Sequence, residues 1–114
     1  MTEIFVKLSA PGFHHWENAT TERDYLGATH RHLFLIEVCM PVTNQDREVE
    51  FHDLMDEVKA LFPHNKNHGG MSCEMMASDI GEKLASKYNR RITVEVSEDG
   101  EAGARVIIEG ARNA

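Results

Sequence analysis

The sequence predicts an α+β domain, an antiparallel sheet carrying two helices on one face in the chain order ββααββ. Three observations predict it. Short runs near both ends of the chain alternate apolar and polar residues, the period-2 signature of strands. Between residues 52 and 88 the apolar period lengthens to that of a helix. The 114 residues, 41% of them hydrophobic, are enough for one core and too few for two, so a single domain spans 1–114.

Ile4 to Phe13 sets Ile4, Val6 and Leu8 on one face and Phe5, Lys7 and Ser9 on the other, a strand with Pro11-Gly12 as an irregularity near its end. Residues 16–29 (WENATTERDYLGAT) are polar and without period, the composition of a loop. His30 to Val42 (HRHLFLIEVCMPV) is the strongest strand. From Leu33 onward it is apolar at nearly every position, including Cys39, the pattern of a strand covered on both faces. Thr43-Asn44-Gln45-Asp46 is a turn, and Arg47 to Phe51 (REVEF) alternates as its partner strand, a hairpin that adds one β if counted separately.

His52 to Phe62 then places Leu54, Val58, Leu61 and Phe62 on one helical stripe that Pro63 stops. His64 to Gly70 (HNKNHGG) is a loop. Ser72 caps a second helix with Met75, Met76, Ile80, Leu84 and Tyr88 along one side. Ile92 to Val96 (ITVEV) is a strand, Asp99-Gly100 a hairpin turn, and Arg105 to Glu109 the returning strand.

Charge and composition narrow the function. Twelve Lys+Arg against nineteen Asp+Glu give −7, which argues against a nucleic-acid partner held by its phosphates. No apolar stretch approaches the ~18 residues of a membrane span, and MTEIFVKL lacks the basic-then-apolar layout of a signal peptide. Cys39 and Cys73 are too few for a disulfide scaffold. A reducing, cytoplasmic location is the expectation.

Seven histidines, at 14, 15, 30, 32, 52, 64 and 68, crowd the first two thirds of the chain. His30 and His32 lie two apart in a strand, so both imidazoles project from one face and can share an ion at about 2.0–2.1 Å. His14 and His15 end the preceding strand, and one of them is placed to supply a third ligand. The scarcity of carboxylates beside the histidines favours zinc or a neighbouring transition metal over magnesium or calcium.

Five collinear segments resemble the family of 6-pyruvoyl-tetrahydropterin synthases and 6-carboxytetrahydropterin synthases, the T-fold (tunnelling-fold) proteins of pterin and queuosine biosynthesis. Gly12-Phe13-His14-His15-Trp16 is similar to the family's A-A-H-x-L strand end, and His30-Arg31-His32 to its H-G-H, at the typical sixteen-residue separation of His14 from His30. Glu50-Phe51-His52-Asp53-Leu54 resembles the D-F-x-x-L that opens the first helix. Ser72-Cys73-Glu74-Met75-Met76-Ala77 resembles T-x-E-N-x-A at the start of the second. Val94-Glu95-Val96-Ser97-Glu98, followed by Ala102-Gly103, is similar to the V-x-V-x-E-T segment before the last strand.

The resemblance implies that His14, His30 and His32 hold Zn²⁺. It implies that Glu98, with Ser72 nearby, binds the aminopyrimidinone edge of a pterin or similar heterocycle, whose two parallel N–H groups suit a carboxylate. The activity implied is a zinc-dependent lyase acting on a dihydroneopterin triphosphate-like or purine-like compound by proton transfer and elimination. The assembly implied is a homo-oligomer, a hexamer of stacked trimers.

Two departures stand against the resemblance. The family's catalytic cysteine, four residues before H-x-H, is Leu26 here, and no aspartate precedes His64 or His68 where the family has an Asp-His pair. The residues left as candidate catalytic groups are His64, His68 and Cys73. For Cys73 the helix N-terminus is expected to favour thiolate. The alternative function is a non-catalytic T-fold protein that binds a pterin, base or nucleotide, or serves as a scaffold.

Overall fold

Two thirteen-residue strands, β1 (Thr2–His14) and β2 (His30–Val42), pair antiparallel along their whole length, from Thr2 opposite Val42 to His14 opposite His30. The computed structural model describes residues 1–110. β4 (Ile92–Glu98) pairs antiparallel with β2, and β5 (Ala102–Ile108) with β4. β3 (Lys66–Asn67) runs parallel to Gly12 and Phe13 on the other side of β1, giving the sheet order β3-β1-β2-β4-β5. A 3-10 helix (Thr21–Gly27) and the α-helices α1 (Phe51–Leu61) and α2 (Cys73–Tyr88) complete an α+β fold with a five-stranded mixed sheet.

The order therefore differs from ββααββ by the 3-10 helix and β3, and the sheet is mixed where a purely antiparallel one was expected. β3 exists because the loop after α1 is tied to β1: Asn65 N donates to Pro11 O at 2.6 Å and His68 N to Phe13 O at 2.7 Å. The 3-10 helix falls inside the expected loop and buries none of its residues, which is why 16–29 shows no apolar period.

The REVEF strand does not form. Glu48 turns back on the preceding turn, its carboxylate accepting from Thr43 N (2.9 Å), Thr43 Oγ1 (3.0 Å) and Asn44 N (2.7 Å), and Arg90 donates to it at 2.6 Å. These bonds, the Asn44 N–H first and the Arg90 guanidinium next, hold the Glu48 carboxyl down at about 2. Arg47 takes a left-handed φ of 56°, and Glu50 caps α1 by accepting from His52 N. Side-chain bonds to a local backbone compete with ladder pairing, and here they win.

The core lies on the even-numbered face of the sheet. Val6 and Ala10 of β1, Phe34, Ile36, Val38 and Met40 of β2, and Ile92, Val94 and Val96 of β4 pack in one cluster. Leu54 and Val58 of α1 join it, as do Met76, Ile80 and Leu84 of α2. Both α-helices thus cover one face. At ~25 cal/mol per Å² of apolar area removed from water, this layer is the main stabilising term. Ser72 caps α2 as expected, its Oγ accepting from Met75 N at 3.2 Å. Met75, expected on the apolar side, is 55% exposed. Gly81 lets α2 approach β5, since a Cβ there would sit 2.8 Å from Ile108 Cγ1. Tyr88 and Lys87 both bond Glu57, tying the end of α2 to α1.

Among the described residues no helix covers the odd-numbered face, so within one chain β2 is covered on its even side alone. Phe5, Leu33, Leu35 and Ile107 are exposed there, and Cys39 is half-buried among them, not in the core. Lys7–Glu37 and Arg105–Glu95 pairs interrupt the apolar surface. Among the described residues no helix is long and apolar enough to cross a membrane.

Candidate metal centre and adjoining cleft

The full-length register of β1 and β2 sets His14 directly opposite His30 and brings Gly12 opposite His32. Glu98, the last residue of β4, lies opposite Phe34. All four polar side chains project from the even face just beyond the core. Four atoms, one from each of His14, His30, His32 and Glu98, lie within 4.8 Å of one another. His14 is the member of the His14–His15 pair that joins the group. His15 instead points its Nε2 towards Glu17, at 3.4 Å.

The tautomers follow from the acceptors. His14 Nδ1 lies 2.9 Å from Met71 O, His30 Nδ1 2.9 Å from Ala28 O, and His32 Nδ1 2.8 Å from an Asp99 carboxylate oxygen. Those oxygens only accept, so each Nδ1 carries a hydrogen and each Nε2 is left to face inward. The Nε2 atoms of His14 and His32 are sealed from solvent with no hydrogen-bond partner. Glu98 oxygens stand 3.0 Å from the first and 3.6 Å from the second. A ring nitrogen and a carboxylate oxygen this close need positive charge between them, a proton or a metal ion. Three imidazole nitrogens and one carboxylate oxygen are a donor set suited to zinc, so the residues fit the ion that the sequence implies.

Beside this group opens a cleft of about 610 Å³, walled by Trp16, Leu26, Ser72, Cys73 and Met75, and reached by His14, His30 and Glu98. Glu98 therefore faces the histidines and the cleft at once. Ser72 borders the cleft, but its hydroxyl accepts from the helix cap. Leu26 presents an apolar wall.

Cys73 sits in the cleft wall, yet its thiol is pushed up to about 12, by burial first and then by Glu98 and Glu74. Desolvation and two carboxylates act against the thiolate that a helix N-terminus favours. At pH 7.5 the thiolate fraction is then on the order of one part in 10⁴ to 10⁵. Iodoacetamide should leave Cys73 unmodified in the native protein and label it after unfolding, as read by peptide mass spectrometry. Rapid native labelling would show an activated thiol.

The two candidate catalytic histidines are elsewhere. His64 is exposed, outside both the metal group and the cleft lining. His68 is buried behind the site, stacked on Phe62 with ring centroids 4.3 Å apart and set against Phe34 at 5.7 Å. A Cβ on Gly12 would come 3.2 Å from its ring, so glycine makes room for it. Burial, then Lys66 and His14, lower its pKa, and the ring stays neutral at pH 7. Its position is that of a core aromatic.

Asp99 had only a turn signal, D-G in SEDGE, and its bond to His32 depends on the hairpin folding back over the start of β2. The carbonyls of Met71 and Ala28 leave no trace in a residue pattern. The chain matches no protein-family model, and no curated protein matches it.

Proposed function

We propose that this chain is a zinc-binding T-fold protein. His14, His30 and His32 hold the ion, and the adjoining cleft takes a planar nitrogen heterocycle of pterin or purine type. The activity is of the 6-carboxytetrahydropterin synthase kind, proton transfer followed by elimination. The observation that carries this reading is the convergence of three Nε2 lone pairs, each fixed by a bonded Nδ1, at the mouth of a cleft.

When bound, zinc supplies a Lewis acid that acidifies protons beside a coordinated oxygen. The chain's own residues do the rest. The backbone oxygens of Ala28 and Met71 aim His30 and His14. Glu98 offers a carboxylate able to accept two parallel N–H bonds from an aminopyrimidinone edge. Leu26 and Trp16 exclude water from one wall.

A second reading, a binding protein or scaffold without turnover, is favoured by the protonation states around the cleft. Leu26 cannot take a proton, Cys73 holds its own, and His68 is sealed in the core. In either reading the chain assembles as a homo-oligomer, a hexamer of stacked trimers. The exposed Phe5, Leu33, Leu35 and Ile107 on the helix-free face support this, because such a surface needs cover. Two free cysteines suit a reducing, cytoplasmic setting.

Elemental analysis of the purified protein beside a His30→Ala/His32→Ala variant tests the metal. About one zinc per chain, lost in the variant, is expected from a single three-histidine site. Dihydroneopterin triphosphate and purine nucleotides are then offered to the zinc-loaded protein. Turnover supports the enzyme, and binding alone selects the second reading. Failure to hold or take up zinc would sink the enzyme and leave a T-fold scaffold.

A further inference from the structure

We infer that Asp99 is a positioning residue of the metal centre, holding the proton of His32 on Nδ1 so that Nε2 is free for the ion. The inference rests on the reading that the histidines bind metal. Asp99 occupies the β4–β5 turn with a left-handed φ of 59°, which an Asp-Gly hairpin turn adopts readily, so the turn itself accounts for its backbone and not for its side-chain bonds.

Three bonds clamp this turn to the start of β2. Asp99 Oδ2 accepts from His32 Nδ1 at 2.8 Å, Oδ1 accepts from Leu33 N at 3.0 Å, and Asp99 N donates to Leu33 O at 2.7 Å. A turn needs at most the backbone bond. The carboxylate is spent entirely on His32 and its neighbour.

His32 lies between two carboxylates. Asp99 sits at Nδ1, and a Glu98 oxygen lies 3.6 Å from Nε2. Each attracts a ring proton to its own side. A proton on Nε2 points into the space where the three lone pairs converge and blocks an ion there. Asp99, the nearer of the two, settles the tautomer in favour of metal binding. His14 and His30 are oriented by neutral carbonyls, so His32 is the ligand with a charged orienting partner. A charged acceptor strengthens both the bond and the ring's donation through Nε2.

Asp99→Asn separates this role from a turn role. Asparagine tolerates the left-handed φ and can still accept from Leu33 N, but it presents an NH₂ group to His32 Nδ1. Chelator competition should show zinc affinity about 10- to 100-fold weaker. Long-range proton–nitrogen correlation spectra of the metal-free protein should show His32 as the Nδ1–H tautomer in the native chain and displaced from it in the variant. Unchanged affinity with an unchanged tautomer would overturn the inference. If Asp99→Asn fails to fold, Asp99→Gly, which relieves the turn while removing the carboxylate, decides by the same two readouts. A native protein that takes up no zinc defeats the metal reading itself, and the tautomer measurement still decides whether Asp99 directs His32.

Discussion

Zinc should raise the melting temperature of this protein, and a strong chelator should reverse the gain. At free zinc about a hundredfold above the dissociation constant, ion binding to the folded state contributes about 2.7 kcal/mol, roughly 10 °C for a domain of this size. The effect is large because the donors belong to separate parts of the chain: His14 ends β1, His30 and His32 open β2, and Glu98 ends β4. Differential scanning calorimetry with and without zinc reads the shift, and the His30→Ala/His32→Ala variant should lose it. An equal shift in that variant would place the ion elsewhere.

Phe34→Ala should cost about 3–5 kcal/mol of stability and weaken zinc binding in the same protein. Phe34 is fully buried where the core meets the site. Its ring meets those of His14 at 5.3 Å and of His32, Phe62 and His68 at 5.7 Å. Truncation would open a cavity directly beneath two ligands, freeing rings that the ion needs fixed. Denaturant unfolding gives the stability term and chelator competition the affinity. Leu35→Ala, its neighbour on the exposed face, serves as the comparison and should cost less than about 1 kcal/mol in a single chain. A loss from Phe34→Ala as small as that would show that the ring does not support the centre.

How much of this was legible in the sequence depends on the range of the interaction. His30 and His32 could be read as a same-face pair because strand alternation is local. The third ligand was open between His14 and His15 until the register placed His14 opposite His30. The helix cap at Ser72 and the Asp99-Gly100 hairpin were legible for the same local reason. The REVEF segment misled because alternation is also what a coil with one captive glutamate looks like; the Glu48 bonds to Thr43 and Asn44 carry no period. Cys73 misled because a helix N-terminus is a local feature, whereas the nearness of Glu98 is tertiary. His68 sits in a polar stretch, HNKNHGG, and only the fold reveals its place between aromatic rings. The run from Leu33 to Val42 reads alike whether its second face meets a helix, another chain or solvent.

The pairing of β1 with β2 also makes the metal site a proofreader of the sheet. Two thirteen-residue strands offer many near-equivalent alignments, since each is rich in interchangeable apolar residues. A slip of one residue turns His14 to the opposite face from His30 and His32. A slip of two restores the face but carries it about 7 Å along the strand, outside the reach of a shared ion. Only the native alignment brings the four residues together, so a metal ion bound there during folding would select that alignment from its competitors and lock it.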